Sequence, residues 1–230
     1  MPNVFSPEQN GVLKLLVSYS LLASQLGVLG FKKVTFRLFP YFRDKTKGHN
    51  GFFFLMLLVF LAGLTITFSL ILLLKPVILN RADSGGALFN YFYSYIFLLT
   101  GFHLMFILVD KYITVLMIIN KSVFFKDFLQ RLLILSALGI YMLDWVDFSG
   151  FVALYAGAYS AKAVLIFIVL LRAGHVHLKP QFHMLTRERL RSIFQMMSLG
   201  LFGGFASIIT FQIDSIMVNK MVGLGETGVY

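Results

Sequence analysis

Long apolar runs separated by short basic segments set the pattern of this chain. Residues 51–74 carry no ionisable side chain, and residues 88–109 are interrupted only by His103. Residues 148–171 contain one charge, Lys162, and residues 192–218 contain one, Asp214. Residues 11–31 are apolar apart from Lys14 near the start, and the shorter run 131–143 draws on flanking residues from 124 onward. A helix needs about 20 apolar residues to cross a hydrocarbon core of about 30 Å. The pattern therefore predicts six membrane-spanning helices in an all-α polytopic bundle.

Punctuation agrees with those boundaries. The prolines, Pro2, Pro7, Pro40, Pro76 and Pro180, all fall between the expected spans, where no helical hydrogen bond is lost. Glycines instead lie within spans: Gly150 and Gly157 in one, Gly200, Gly203 and Gly204 in another. Small residues inside membrane helices permit close packing or local bending.

Charge then orients the bundle. Segments 32–50, 110–131 and 172–191 hold 15 of the 20 basic residues. The positive-inside rule places these segments on the cytoplasmic side. The net charge of +10 is then a topology signal and an attraction to anionic headgroups, not a nucleic-acid footprint. Both ends of a six-span chain fall on the opposite side, which leads to the expectation of a preceding helix and of a fragment.

Composition narrows the class. The chain is 58% hydrophobic and 13% charged, with mean hydropathy +0.83 and 26 phenylalanines. Soluble domains carry about 25% charged residues, so a soluble fold of this length would not hide so much apolar surface. Cysteine is absent, which removes disulfide frameworks and thiolate metal sites. No phosphate-binding G-x-x-x-x-G-K-[ST], G-x-S-x-G or H-E-x-x-H occurs, which argues against an ATP-driven pump or a hydrolase.

Several short motifs carry a resemblance. Ser6-Pro7-Glu8-Gln9-Asn10-Gly11 and Gly223-Leu224-Gly225-Glu226-Thr227-Gly228-Val229-Tyr230 are similar polar, glycine-bearing openings to apolar runs, which suggests two repeated bundles. The second, with Ile213-Asp214-Ser215-Ile216-Met217-Val218, resembles the linker opening the second half of Wzx-like polysaccharide flippases. These belong to the multidrug/oligosaccharidyl-lipid/polysaccharide exporter superfamily. Phe36-Arg37-Leu38-Phe39-Pro40-Tyr41-Phe42-Arg43 resembles their basic cytoplasmic turn.

The resemblance implies residues 1–185 as first-lobe helices lacking the first. It implies residues 186–230 as an interfacial linker and the truncated opening helix of a second lobe. It also implies a bacterial inner-membrane flippase, not an enzyme and without a cofactor, acting in cell-surface polysaccharide biosynthesis. Its cargo would be a polyprenyl-pyrophosphate-linked oligosaccharide, and its partners membrane lipids and other polysaccharide-assembly proteins. A cation-coupled small-molecule exporter is the alternative, and a membrane-embedded glycan polymerase or acyltransferase a weaker one.

Candidate site residues follow from the cost of intramembrane charge, about 2.5–3.5 kcal/mol on insertion scales. Lys162 lies mid-span with no ionic partner one turn away, which points to a cation lining a wet central cavity and attracting phosphate or an acidic sugar. Arg37 and Arg43 offer planar forks to pyrophosphate oxygens, or serve as topogenic charges at the headgroups. The resemblance favours Arg37. Lys14 belongs either to the outer rim of the same cavity or to a snorkelling position. Asp214 is the ion-coupling candidate, with pairing to Lys220 near the interface as the plainer alternative. His103 reads as a histidine bonded to a neighbouring helix rather than a proton relay. His175 and His177 form an H-x-H pair beside His183, but no acidic or Cys partner sits at a metal-ligand spacing, which argues against a metal site. The aromatic run 89–95 fits an interfacial belt.

Overall fold

Ser6 opens the first helix with a reciprocal cap. Its side chain accepts from the Gln9 backbone N–H at 3.2 Å, and the Gln9 side chain accepts from the Ser6 N–H at 3.0 Å. Pro7 occupies the first helical position, where no donor is needed. The computed structural model describes residues 4–44, 48–79, 86–118, 123–179, 186–222 and 227. They form an all-α bundle with no strand among the described residues.

Helix α1 (Pro7–Gly27) ends where Leu29 and Gly30 turn left-handed, at φ 51° and 72°. Helix α2 (Phe31–Phe42) leaves at a 43° bend. Phe31, Val34, Thr35, Leu38, Phe39 and Phe42 of α2 are buried, while Lys33, Phe36, Arg37 and Tyr41 are exposed. That spacing is one helical face. After a tight turn at Gly48–Gly51 come α3 (Phe52–Leu79), the short α4 (Gly86–Phe92) and α5 (Tyr95–Val115). A π-helical turn, Phe124–Leu129, leads into α6 (Gln130–Met142). Asp147 caps α7 (Phe148–Arg172), accepting from the Gly150 N–H at 2.8 Å. The chain continues in α8 (Arg187–Val222), 36 residues long.

Helix α5 packs against α1, α2, α3 and α7. Helix α6 lies on α7, and α8 lies along α1 and α2. One core gathers around Tyr112, whose ring stacks on Phe52 and meets Phe39 edge-on, at 5.8 and 5.6 Å. The other core gathers Phe5, Phe89, Phe92 and Phe151 at the opposite end. The basic segments converge at the Tyr112 end: the Tyr112 hydroxyl donates to the His175 carbonyl at 3.4 Å, and His49 and His175 share a hydrogen bond of 3.1 Å.

Among the described residues, three helical stretches are long and apolar enough to cross a membrane: Gly48–Pro76, Tyr95–Val115 and Phe148–Arg172. The bent pair α1–α2 makes a fourth if it counts as one broken span. Such helices are compatible with a membrane protein. In the first stretch only 22% of the apolar window is buried, which leaves Leu58, Leu61, Leu72 and Leu73 exposed. The expected span 88–109 is broken at Tyr93 and Ser94, and 131–143 falls largely in α6, whose 13 residues continue the helical turn Phe124–Leu129. The run 192–218 lies within α8.

Two expectations change. Pro40 and Pro76 lie inside α2 and α3, each in the closing turn, where proline removes the N–H that would bond the carbonyl four residues back. The aromatic run 89–95 is not a simple belt. Phe89, Phe92 and Tyr93 are buried, and the Tyr93 hydroxyl donates to the Ile71 carbonyl at 2.7 Å. Of its aromatic side chains Tyr91 alone is strongly exposed, at 70%.

Gly30 and Gly157 give a test of this packing. A Cβ at Gly30 would run into the Met197 carbonyl and the backbone of Gly200 and Leu201, whereas one at Gly157 meets nothing within 4 Å. Gly30→Ala should lower stability by about 2–4 kcal/mol, from steric conflict at a left-handed residue. Gly157→Ala should be neutral or stabilising by up to about 1 kcal/mol. Thermal unfolding of the purified protein in detergent measures both.

Candidate anion-binding groove and a buried lysine

Helix α7 presents Ala156, Ser160, Lys162, Ala163 and Ile166 to the interior. The Lys162 side chain is only 7% exposed. Its ammonium donates to Gln130 Oε1 at 2.9 Å and lies 5.0 and 5.3 Å from the ring centres of Phe106 and Tyr159. A cation between aromatic faces is attracted by their negative π-surfaces, more strongly when desolvated. Gln130 begins α6, Phe106 belongs to α5, and Tyr159 lies one turn before Lys162 on α7 itself. The amine thus ties three helices together.

Around it lies a compact polar patch. His103 is buried and bonds through Nδ1 to the Leu99 carbonyl of its own helix at 3.0 Å, not to a neighbouring helix. Its ring lies 5.8 Å from that of Tyr159. The Tyr155 hydroxyl donates to that of Tyr159 at 3.4 Å. Thr100 Oγ1 is buried with no hydrogen-bond partner among the described residues.

Lys162 lines neither of the two cavities described below. The contacts described for it are with protein groups. Gln130, 32 residues earlier in the chain, supplies the acceptor, and two rings supply the rest of its surroundings. Sequence spacing found no local partner because it looked for charge. The partners are an amide on another helix and an aromatic face.

Arg37 has a different setting. It lies on the exposed face of α2 and lines a cavity of about 520 Å³ between α2 and the opening turns of α8. Tyr41 and Phe42 contribute from α2, and Glu188, Arg189 and Ser192 from α8. Thr186 Oγ1 accepts from the Arg189 N–H at 3.4 Å, in keeping with a capped start to α8. Two guanidinium groups from separate helices, with a tyrosine and a serine hydroxyl, form a donor set suited to an anion with several oxygens. Glu188 offsets one of the two positive charges. Sequence reasoning read Arg189 only as part of a basic linker, since nothing in its spacing places it opposite Arg37.

Arg43 and Lys14 are not among the residues lining this groove. Arg43 is exposed just past the end of α2. Lys14 is exposed on α1, which begins at the Phe5 end of the bundle. The backbone of Asp214 lies in α8, and its side chain is outside the described residues, as is that of Lys220. His49 joins His175 across 126 residues of sequence, a contact that the His175/His177 spacing did not reveal. Among the described residues no three His, Cys, Asp or Glu side chains are set to hold a metal ion.

No known protein family, curated protein or solved structure matches this chain. The likeness to polysaccharide flippases therefore rests on the short motifs alone.

The Lys162 clasp predicts a double-mutant pattern. Gln130→Leu leaves a buried ammonium without its acceptor and should lower stability by about 2–3 kcal/mol. Lys162→Met combined with Gln130→Leu should recover most of that loss, because burying two matched apolar groups leaves nothing unpaired. Melting of the four proteins of the cycle in detergent reads the coupling, and additivity would dissolve the clasp.

Proposed function

We propose that this chain is part of a flippase that moves a lipid-linked oligosaccharide from the cytoplasmic to the outer leaflet of the bacterial inner membrane. The observation that carries the reading is the groove in which Arg37 of α2 and Arg189 of α8 line one cavity. The physical task is to keep a charged, hydrated headgroup out of hydrocarbon while its polyprenyl tail stays in lipid. A groove at the basic end supplies cations where such a pyrophosphate would enter. The apolar outer faces of α3, α5 and α7 suit the surrounding tail and lipids.

In this reading α2 and α8 are the two walls of the entry site, and Tyr41 and Ser192 add hydroxyl donors to the guanidinium forks. A second helical bundle completes the path, and the groove passes from inward to outward exposure as the two rock against each other. No covalent step is needed. Lys162 has a structural part here: it holds α6 to α7 while α2 and α8 move.

Transport of a fluorescent polyprenyl-pyrophosphate oligosaccharide in liposomes tests the reading. Arg37→Ala and Arg189→Ala should each reduce uptake roughly ten- to hundredfold, the range for one charge-assisted hydrogen bond. Lys33→Gln, also exposed on α2 but outside the groove, should transport normally. Equal transport by all three variants would remove the groove from the mechanism.

A further inference from the structure

A second cavity, of about 290 Å³, opens between α3, α5 and α7 at the same basic end. Leu57 and Phe60 of α3, Met105 of α5, and Phe167 and Leu171 of α7 line it, with Leu178 beyond α7, and the remaining lining residues are apolar too. Water in such a space finds no hydrogen-bond partner, so an apolar occupant is the favourable one. One wall, α3, carries exposed Leu58 and Leu61 beside the lining residues, so the hollow is continuous with an apolar outer surface.

The rim has the opposite character. Arg172 follows Leu171 and Lys179 follows Leu178, and both cations are exposed. The segment between them, residues 173–178, holds no carboxylate, and Asp110, which follows the lining residue Val109, is paired with Lys111 at 2.7 Å. Two exposed cations, each next in sequence to a residue lining a wholly apolar hollow, complement an amphiphile with an anionic head and a hydrocarbon chain. We infer that this cavity holds one acyl chain of a resident anionic membrane phospholipid, whose phosphate is met by Arg172 and Lys179. The inference uses neither Arg37 nor Arg189, and it stands or falls apart from the transport reading.

Tryptophan quenching tests it in the full chain. Trp145, the single native tryptophan, is replaced as Trp145→Phe, and Leu57→Trp places an indole at the cavity. Leu73→Trp puts one on the exposed flank of α3 as a reference. The proteins are reconstituted in phosphatidylcholine vesicles with brominated-chain phosphatidylglycerol or brominated-chain phosphatidylcholine. Quenching of the cavity indole should favour the anionic lipid by about fivefold in apparent affinity for each rim cation. Arg172→Gln with Lys179→Gln should abolish that preference, and the reference indole should show none. Phe167→Trp, aromatic for aromatic, gives the same readout if Leu57→Trp lowers the yield of folded protein. Equal quenching by the two lipids, or a preference that survives loss of both cations, overturns the assignment. Preferential displacement by a polyprenyl phosphate also overturns it, because the cavity would then belong to cargo rather than to a resident lipid.

Discussion

The backbone contact between Gly30 and α8 organises the half of the bundle that carries the groove. Gly30 takes a left-handed conformation with its Cα face against Met197, Gly200 and Leu201. The absence of a Cβ on both Gly30 and Gly200 lets the two backbones meet, as small residues do where helices cross closely. Across the same bend, the Lys32 ammonium donates to Gln25 Oε1 at 2.7 Å, and Gln25 packs against Gly204 one turn further along α8. The bend thus turns α2 across the start of α8. Without it, Arg37 and Arg189 would not face one hollow.

The two kinds of cation in this protein illustrate how surroundings decide a role. Lys162 is enclosed, with an amide acceptor and two aromatic faces, and so contributes to the joining of helices. Arg37 stands on an exposed helix face beside a cavity, with a second guanidinium across from it. A buried charge satisfied by protein groups costs desolvation that its contacts must offset, which favours one fixed geometry. A charge at an open groove keeps its water until a ligand replaces it. The same distinction separates the apolar cavity from the aromatic core around Tyr112. In that core Phe39, Phe52 and Tyr112 fill one another's gaps with stacked and edge-on rings. Between Leu57, Met105 and Phe167 the gap stays open.

Much of the architecture was legible in the chain. The all-α class followed from apolar runs too long for strands and too poor in charge for a soluble surface. The start of α1 was readable from Ser6-Pro7-Glu8-Gln9, because capping is a local interaction among neighbours in sequence. The clustering of basic segments at one end followed from alternation along the chain. Less was legible at breaks. Tyr93 and Ser94 interrupt an apolar run that hydropathy treats as continuous. What turns the chain there is contact at a distance, including the Tyr93 hydroxyl on the Ile71 carbonyl.

Sequence by itself determined the all-α class, which segments are basic and how α1 is capped, whereas the segment it read as a basic turn around Arg37 is part of helix α2. Those properties depend on neighbours within a few positions, where helical periodicity holds. Only the tertiary structure decided that Lys162 binds Gln130, that Arg189 lines the same cavity as Arg37, and that His49 meets His175. Each of these joins residues far apart in the chain. Their meeting is set by the bend at Gly30 and by the packing of whole helices, which no spacing in the sequence encodes.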